Sequence, residues 1–252
     1  MLPWAKNYNL LIFDRIDSTN DEALRLAKSG VNGNFVIIAK AQTNGRGTKG
    51  KPWESIIGNL HTSILLQPHV SINRTKELSF LTAIVLRETI LEFIDKLKAP
   101  KADIKLKWPN DVLIEGKKVS GILLESINIQ GINYVIIGIG VNTHFVPNTP
   151  SISATSLLSE GIILKSPDSF LNTFMDKFQL HYSKWQKADS FFDSIRNRWL
   201  ECAYNLNKSI TVDNGIEKIS GIFKGIDNQG AICVELANGE LCSFSSGQVT
   251  YR

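Results

Sequence analysis

The distribution of apolar and polar positions predicts a chain in which helices and strands are mixed along the sequence. Short apolar runs bounded by turn residues predict strands at 8–16, 35–41, 60–66, 104–108, 111–116, 117–127 and 132–142. Longer stretches with a period near 3.6 residues predict helices at 17–30, 75–97, 169–185 and 191–206. The pattern is therefore typical of a mixed α/β fold.

Local signals mark where several of these elements begin and end. Thr19 and Glu22 have the spacing of a capping box for the first helix, and Gly30 suits its end. Tight turns are expected at Glu115–Gly116 and Gln130–Gly131. The stretch 143–152 is rich in Pro, Ser and Thr and is predicted to be a loop.

The pattern of apolar and turn residues changes at Ser209. From there, short strand-like runs alternate with Asp-Asn-Gly, Asp-Asn-Gln-Gly and Ala-Asn-Gly turns up to the last residue. This pattern predicts a small all-β unit, expected to be a barrel. We therefore expect two domains, residues 1–206 and 207–252.

Composition excludes few function classes. The chain has 252 residues, 43% of them hydrophobic, and a formal net charge of +4, which is weaker than a dedicated nucleic-acid binder usually shows. The three cysteines form no CxxC pair, so a reducing cytoplasm is the simplest interpretation. No apolar run approaches the roughly 20 residues of a membrane span, and the N-terminus has no cleavage signature.

The stretch NGRGTKGKPWES, residues 44–55, is the strongest candidate for ligand binding. Gly45, Gly47 and Gly50 match G-x-G-x-x-G and, up to the last position, a P-loop. Both patterns require a following helix, which Pro52 disfavours. A solvated surface loop is the plain alternative. The combination of glycines, bases and Trp53 favours a mobile flap that holds an anion.

Three further stretches supply polar groups at the ends of predicted elements. KWPNDV leaves Asn110 and Asp111 at a strand end, although Asn and Asp are also common in ordinary turns. Strict alternation over 117–125 places Lys118 on the face of Ser120 and Ile122, opposite Gly121; an edge lysine is usually solvated. IGIGVN ends an apolar strand at Asn142. Glycines inside strands indicate close approach of another group.

Taken together, these motifs resemble those of the biotin protein ligases. The resemblance rests on Ser18-Thr19-Asn20, on Gln42 to Trp53, on Lys107 to Asp111, on Lys118 to Leu123 and on Gly138 to Asn142. Each motif alone is weak, but the five occur in order along the whole chain, with a small β tail after them.

The resemblance implies an α/β (α+β) catalytic domain related to class II aminoacyl-tRNA synthetases and lipoate ligases, followed by an SH3-like β-barrel. It implies that biotin's carboxylate attacks the α-phosphorus of ATP, which gives biotinyl-5′-AMP and pyrophosphate. A lysine of a biotin carboxyl carrier protein, or of another biotin-dependent carboxylase domain, then takes the acyl group. Mg²⁺ accompanies the ATP.

The same resemblance assigns roles to individual residues. It gives the catalytic roles to Lys118, Arg46 and Asp111. It places Ser18, Thr19, Gln42, Gly45, Arg46, Trp53, Lys118, Gly121 and Leu123 at biotin, and Arg46, Lys49, Asn110, Lys118 and Asn142 at the adenylate. The chemistry agrees, because both reactions move negative charge that fixed cations stabilise. A metal site is not assigned, since His61, His69, His144 and His181 are scattered along the chain.

One position departs from the family pattern. Thr48 stands where the loop commonly carries a second Arg, so retention of biotinyl-AMP is expected to be weaker. The sequence before Leu11 is too short for the DNA-binding domain of some members, so operator binding is not expected. Neither a membrane nor nucleic acid is an expected partner, and the oligomeric state is left as a monomer or weak homodimer. Two alternatives stay open: a lipoate or octanoate ligase, and a non-catalytic adenylate-binding regulator.

Overall fold

The computed structural model describes residues 3–148 and 153–251, so the last four residues of the predicted 143–152 loop lie outside it. The first seven strands are β1 (Tyr8–Ile16), β2 (Asn34–Gln42), β3 (Leu60–Leu66), β4 (Ile104–Lys107), β5 (Asp111–Ile114), β6 (Lys117–Ile129) and β7 (Ile132–Val141). The remaining strands are β8 (Ser209–Asp213), β9 (Lys218–Ile226), β10 (Ile232–Glu235), β11 (Leu241–Phe244) and β12 (Gln248–Tyr251). The helices are α1 (Thr19–Lys28), α2 (Glu77–Leu97), α3 (Pro167–Lys187) and α4 (Phe191–Glu201).

The first seven strands form one mixed sheet in the order β1-β2-β3-β7-β6-β5-β4. β1 and β2 are parallel and all other neighbours are antiparallel. One face of the sheet packs Ile37, Leu65 and Ile136 against Ala23 and Ala27 of α1. The opposite face is buried by the apolar residues of α2, α3 and α4. This arrangement confirms the mixed α/β prediction. Because α1 is short, it covers only part of its face of the sheet.

Most elements have the predicted type, and β1 and β3 have the predicted bounds. The glycine turns at 115–116 and 130–131 are confirmed, since all four residues have positive φ. The predicted capping box is wrong: Ser18, not Thr19, caps α1, and its hydroxyl accepts from the backbone N–H of Asp21 at 3.3 Å.

Helix α4 ends at Glu201, before the predicted residue 206. The reason is tertiary. The backbone N–H of Leu106 donates to Cys202 O at 2.8 Å, and the N–H of Tyr204 donates to Leu106 O at 2.8 Å. The chain after Glu201 therefore pairs with β4 rather than continuing the helix, because these backbone groups have partners in the sheet.

The last five strands form a separate antiparallel sheet in the order β11-β10-β9-β8-β12. Its apolar side chains, among them Ile210, Phe223 and Val234, join the large core. Over the described residues the edge strands β11 and β12 are not hydrogen-bonded to each other, so the expected barrel is an open sheet. The boundary at residue 207 stays a prediction. Within the described ranges, no helix has both the length and the apolar character needed to cross a membrane.

Trp108 joins the two sheets, because its indole Nε1 donates to the backbone carbonyl of Gly230 at 2.9 Å in the protein interior. We predict that Trp108→Phe lowers the free energy of unfolding by about 1–3 kcal/mol, since it leaves a buried carbonyl without its donor. Urea denaturation measures the change. Trp4→Phe is the matched control, because it loses a longer, 3.3 Å bond to Asn172. Equal losses in the two variants would contradict the assigned role of Trp108.

Candidate active site

Glycines open the α1 face of the sheet to a tryptophan side chain. Gly121 of β6 pairs with Gly140 of β7. The Trp53 indole lies on this pair: a Cβ on Gly140 would overlap its Cε2 and Cζ2 atoms, and a Cβ on Gly121 would lie 2.9 Å from Cζ3. A Cβ on Gly138 would overlap the amide of Asn20 in the same way. The glycines thus permit the close approach that their place inside strands predicted.

A cavity lies between these glycines, the start of α1 and the glycine-rich loop, residues 44–55. Its walls contain most of the residues predicted for biotin or the adenylate, namely Ser18, Thr19, Gln42, Arg46, Trp53, Asn110, Lys118, Gly121 and Leu123. Of the other predicted residues that the structure describes, Gly45, Lys49, Asp111 and Asn142 do not line it. The five sequence motifs therefore converge on one site, although they span more than 120 residues of the chain.

Lys118 reaches the cavity because β6 contains a β-bulge. Ser120 pairs with Val112, but Lys118 pairs with the next residue of β5, which leaves Val119 without a partner. The predicted alternation, with Lys118 opposite Gly121, is therefore wrong. A Cβ on Gly121 would lie 3.1 Å from both Cε and Nζ of Lys118, so the two positions share a face. Bulges redirect side chains in this manner.

The Lys118 ammonium lies between a carboxylate and an aromatic ring. Its Nζ is 2.6 Å from Oδ1 of Asp111 and 5.4 Å from the centroid of Trp53. Lys118 and Asp111 are each about one-fifth exposed, with values of 21% and 19%. The pair is therefore partly shielded from water. Electrostatic interactions are stronger in such a shielded position than at the surface.

Uncharged polar groups form a network at the start of α1, where Thr19, Asn20 and Gln42 line the cavity. The hydroxyl of Ser63 lies 2.7 Å from Thr19 Oγ1 and 2.6 Å from Asn20 Oδ1. Gln42 Oε1 accepts from the Thr19 backbone N–H at 2.8 Å, and its Nε2 donates to Ser55 Oγ at 2.9 Å. The network offers donors and acceptors without net charge. Sequence reasoning missed Ser63, whose only signal was a hydroxyl in an apolar run.

Arg46 is held by two carboxylates that sequence reasoning also missed. Its guanidinium donates to Asp21 Oδ1 at 2.6 Å and to Glu125 Oε1 at 3.1 Å. Glu125 accepts in addition from Asn20 Nδ2 at 2.7 Å. The hydrogen bond that Arg46 donates to Asp21 is the main reason that the pKa of Arg46 is raised. These contacts fasten the loop to α1 and β6.

The glycine-rich loop is a folded hairpin, stabilised by its own backbone. The Gly47 N–H donates to Lys51 O at 2.7 Å, and the Trp53 N–H donates to Gly45 O at 2.8 Å. A Cβ on Gly45 would lie 2.6 Å from Trp53 O, so only glycine fits there. Lys49 is exposed and left-handed, with φ 56°. Neither a Rossmann nor a P-loop helix follows, as predicted.

The two asparagines assigned to the adenylate differ in their surroundings. Asn110 lines the cavity, and its Nδ2 donates to the Ile122 carbonyl at 2.5 Å. Asn142 is 2% exposed, and its Nδ2 donates to the Thr155 carbonyl at 3.0 Å. The Asn142 amide therefore holds the segment after β7, away from the cavity walls.

The last strand of the chain reaches the same region. The Lys107 Nζ lies 4.9 Å above the Tyr251 ring, and Lys51 Nζ donates to Gln248 Oε1 at 3.3 Å. Burial lowers the pKa of Lys107, and the nearby carboxylate of Asp111 acts in the opposite direction. The C-terminal sheet thus contacts both the glycine-rich loop and the strand that precedes Asp111.

Two family models match the chain. The model described as "Biotin/lipoate A/B protein ligase family" matches residues 12–142, and the one described as "Biotin protein ligase C terminal domain" matches residues 206–251. These segments contain the cavity and the C-terminal sheet, respectively.

Full-length relatives agree with these models. The chain is 36% identical to the biotin–[acetyl-CoA-carboxylase] ligase of Paracoccus denitrificans, over 86% of this chain and 90% of the relative. It is 28% identical to the Mycobacterium tuberculosis enzyme of the same name, over 93% and 85% of the two chains. It is also similar to the biotin protein ligase of Aquifex aeolicus in complex with biotin and ATP, with a TM-score of 0.76, 26% identity and coverage of 97% and 98%. The chain belongs to the biotin/lipoate A/B protein ligase family and, within it, to the biotin protein ligases.

Proposed function

We propose that this protein activates biotin with ATP to form biotinyl-5′-AMP and then transfers the biotinyl group to a lysine of a biotin carboxyl carrier protein. The observation that carries this proposal is the β-bulge in β6. It brings Lys118 onto the glycine face, the face of the sheet on which Trp53 covers Gly121 and Gly140, and places it between Asp111 and Trp53. A cation, a carboxylate and an aromatic wall then lie together at the cavity. The uncharged polar network lies at the start of α1.

The polar network favours biotin over lipoate or octanoate. Biotin's ureido ring has two N–H donors and one carbonyl acceptor, which need partners when they are buried. Ser63, Thr19, Asn20 and Gln42 supply such partners at the start of α1. A dithiolane or an alkyl chain offers these groups no hydrogen-bond partner in return. The matching family model covers both biotin and lipoate ligases. The choice of biotin therefore rests on this polar network and on the similarity to biotin–[acetyl-CoA-carboxylase] ligases.

In the first step an oxygen of the biotin carboxylate bonds to the α-phosphorus of ATP, and the bond to pyrophosphate breaks. Both the attacking group and the phosphates are negative, so fixed cations lower the barrier. Lys118 is assigned to the carboxylate–phosphate junction. Arg46 is assigned to the phosphate, which replaces Asp21 or Glu125 as its partner when the ligand binds.

Mg²⁺ is expected to enter with ATP. In the described ranges no three His, Cys, Asp or Glu side chains converge as metal ligands. The carboxylates nearest the cavity, Asp21, Asp111 and Glu125, are paired with Arg46 or Lys118. Nucleotide-bound Mg²⁺ usually keeps waters and phosphate oxygens as ligands, with only one or two carboxylates. Such an ion neutralises phosphate charge.

In the second step the carrier's lysine amine attacks the acyl carbon, and AMP leaves with the electrons of the acyl–oxygen bond. The amine must lose a proton to react. Asp111 is assigned to orient this amine and accept the proton, because it lies 2.6 Å from Lys118 at the junction where the acyl carbon must be held. Trp53, stacked on the glycines, excludes water from the reactive anhydride.

The carrier is assigned as the biotin carboxyl carrier subunit of acetyl-CoA carboxylase, because both ligases compared above are named for that carboxylase. We further propose a cytoplasmic location and a monomer or weak homodimer. The test is to incubate the protein with labelled biotin, ATP and a carrier domain. Label on the carrier's lysine supports the proposal; label on neither carrier nor adenylate contradicts it.

We predict that Lys118→Ala lowers biotin-dependent pyrophosphate release by a factor on the order of 10²–10³, because it removes the fixed cation at the reacting centre. Lys117→Ala is the control, since this neighbouring lysine is exposed and pairs with Glu160. Pyrophosphate release at the normal rate in Lys118→Ala would remove this residue from its role.

We predict that Asp111→Asn slows transfer to the carrier at least as much as adenylation, because it removes the proton acceptor beside the incoming amine. Purified biotinyl-AMP, supplied with the carrier, isolates the second step. Asp103→Asn is the control, as its carboxylate pairs with Lys105 near the start of β4. If transfer from purified biotinyl-AMP is unchanged, Asp111 only holds its turn.

We predict that Thr48→Arg slows dissociation of biotinyl-AMP several-fold and leaves the adenylation rate nearly unchanged. Thr48 lines the cavity and is exposed, so a longer side chain fits. A charge-assisted hydrogen bond exceeds a neutral one by roughly 1 kcal/mol. Wild-type protein should also release some intermediate and label bystander lysines when no carrier is present.

Trapping experiments measure the dissociation rates for this comparison. Thr43→Arg is the control, because Thr43 is exposed but does not line the cavity. Equal rates for wild type and Thr48→Arg would show that Lys49 or the packing of Trp53 already retains the intermediate.

A further inference from the structure

His61 lies beside the Trp53 indole on the glycine face of the sheet. It pairs with Ala39 of β2 on one side and with Gly140 of β7 on the other. Paired residues of antiparallel strands share a face, with Cβ positions about 5 Å apart. The indole fills the space above Gly140. The imidazole is therefore its neighbour on the next strand.

The indole is oriented with its polar edge toward His61. Across the strands, Cζ3 is the atom nearest a Cβ on Gly121, while Cε2, Cζ2 and Nε1 are the atoms nearest a Cβ on Gly140, with Nε1 at 2.7 Å. The ring thus runs from β6 across β7, and its nitrogen side leads toward β3. His61 occupies that position in β3.

Both rings have buried polar atoms without hydrogen-bond partners. His61 is 1% exposed, and neither of its ring nitrogens has a partner. Nε1 of Trp53 is buried and unpartnered as well. Buried polar groups are normally paired, and an unpaired one destabilises the fold. The chain thus keeps an unpaired donor and an unpaired acceptor next to each other under the loop.

The protonation state of His61 suits the acceptor role. Burial lowers its pKa to about 4, and the backbone carbonyl of Ala39 opposes this shift. The ring is therefore neutral near pH 7, with one N–H and one nitrogen that accepts. The Ala39 carbonyl lies near the ring without completing a hydrogen bond, so it favours the N–H on its side and leaves the other nitrogen to accept from an indole.

We propose that His61 is a positioning residue for Trp53: when the ligand fills the cavity, the free imidazole nitrogen accepts a hydrogen bond from Trp53 Nε1–H and fixes the indole over the acyl chain of biotinyl-AMP. This role rests on the proposed function of the cavity. It gives the loop a second means of retention, independent of the charge that Thr48 lacks.

Retention is a property of the bound state, so its dependence on His61 distinguishes a positioning residue from an ordinary core residue. A core filler would affect the stability of the free protein and leave ligand release unchanged. A hydrogen bond made only in the complex affects release. His61→Leu removes the acceptor and keeps an apolar side chain of similar size, and His61→Gln keeps an acceptor.

The first test is a double-mutant cycle on the dissociation rate of biotinyl-AMP. We expect His61→Leu and Trp53→Phe each to raise the rate several-fold, and the double variant to raise it no more than the larger single effect. His61→Gln should stay close to wild type. Unchanged release in His61→Leu, or multiplicative effects in the double variant, would overturn the proposal. Should His61→Leu fold poorly, His61→Phe serves as the second apolar variant.

The second test observes the hydrogen bond itself. The chain has five tryptophans, and the Trp53 indole N–H resonance is identified by its loss in Trp53→Phe. We expect this resonance to move downfield when biotin and ATP are added to wild type or His61→Gln, but not to His61→Leu. The same shift in His61→Leu would overturn the proposal. A wild type that forms no biotinyl-AMP in these samples would refute the proposed function itself, and with it this role.

Discussion

The contact between the Trp53 indole and two glycines of neighbouring strands organises the site. Gly121 and Gly140 have no Cβ, so the ring lies directly on the sheet. A single methyl group at Gly140 would overlap the indole. Because Trp53 ends the glycine-rich loop, this contact determines where the loop lies. The cavity exists between the loop and the sheet, so its depth depends on the same two residues.

The charged side chains around the cavity form two sets of ion pairs, which differ in the elements that carry them. Lys118 faces Asp111 on the sheet, and both belong to strands joined by backbone hydrogen bonds. Arg46 belongs to the loop and is held by Asp21 and Glu125. The first pair is anchored on neighbouring strands and suits a reacting centre, where preorganised charge lowers the barrier. Arg46 can exchange its partners, because a phosphate competes with the two carboxylates for the guanidinium.

The sequence predicted what depends on local signals. The bounds of β1 and β3 follow from apolar runs, and the Glu115–Gly116 turn follows from residues that tolerate positive φ. It did not reveal the bulge at Val119, because an extra residue in one strand is defined by its pairing with another. The early end of α4 likewise depends on backbone bonds to β4. Asp21 and Glu125 were missed because they lie 25 and 79 residues from Arg46 in sequence. The motifs located the site; the partners that position its side chains needed the fold.

Everything proposed for this cavity requires that it join biotin to AMP before any carrier is present. Exchange of labelled pyrophosphate into ATP, measured without a carrier, tests that step alone. We expect exchange that requires biotin and that lipoate or octanoate does not support. Exchange that proceeds with lipoate instead of biotin, or no exchange with any of these acids, would contradict it.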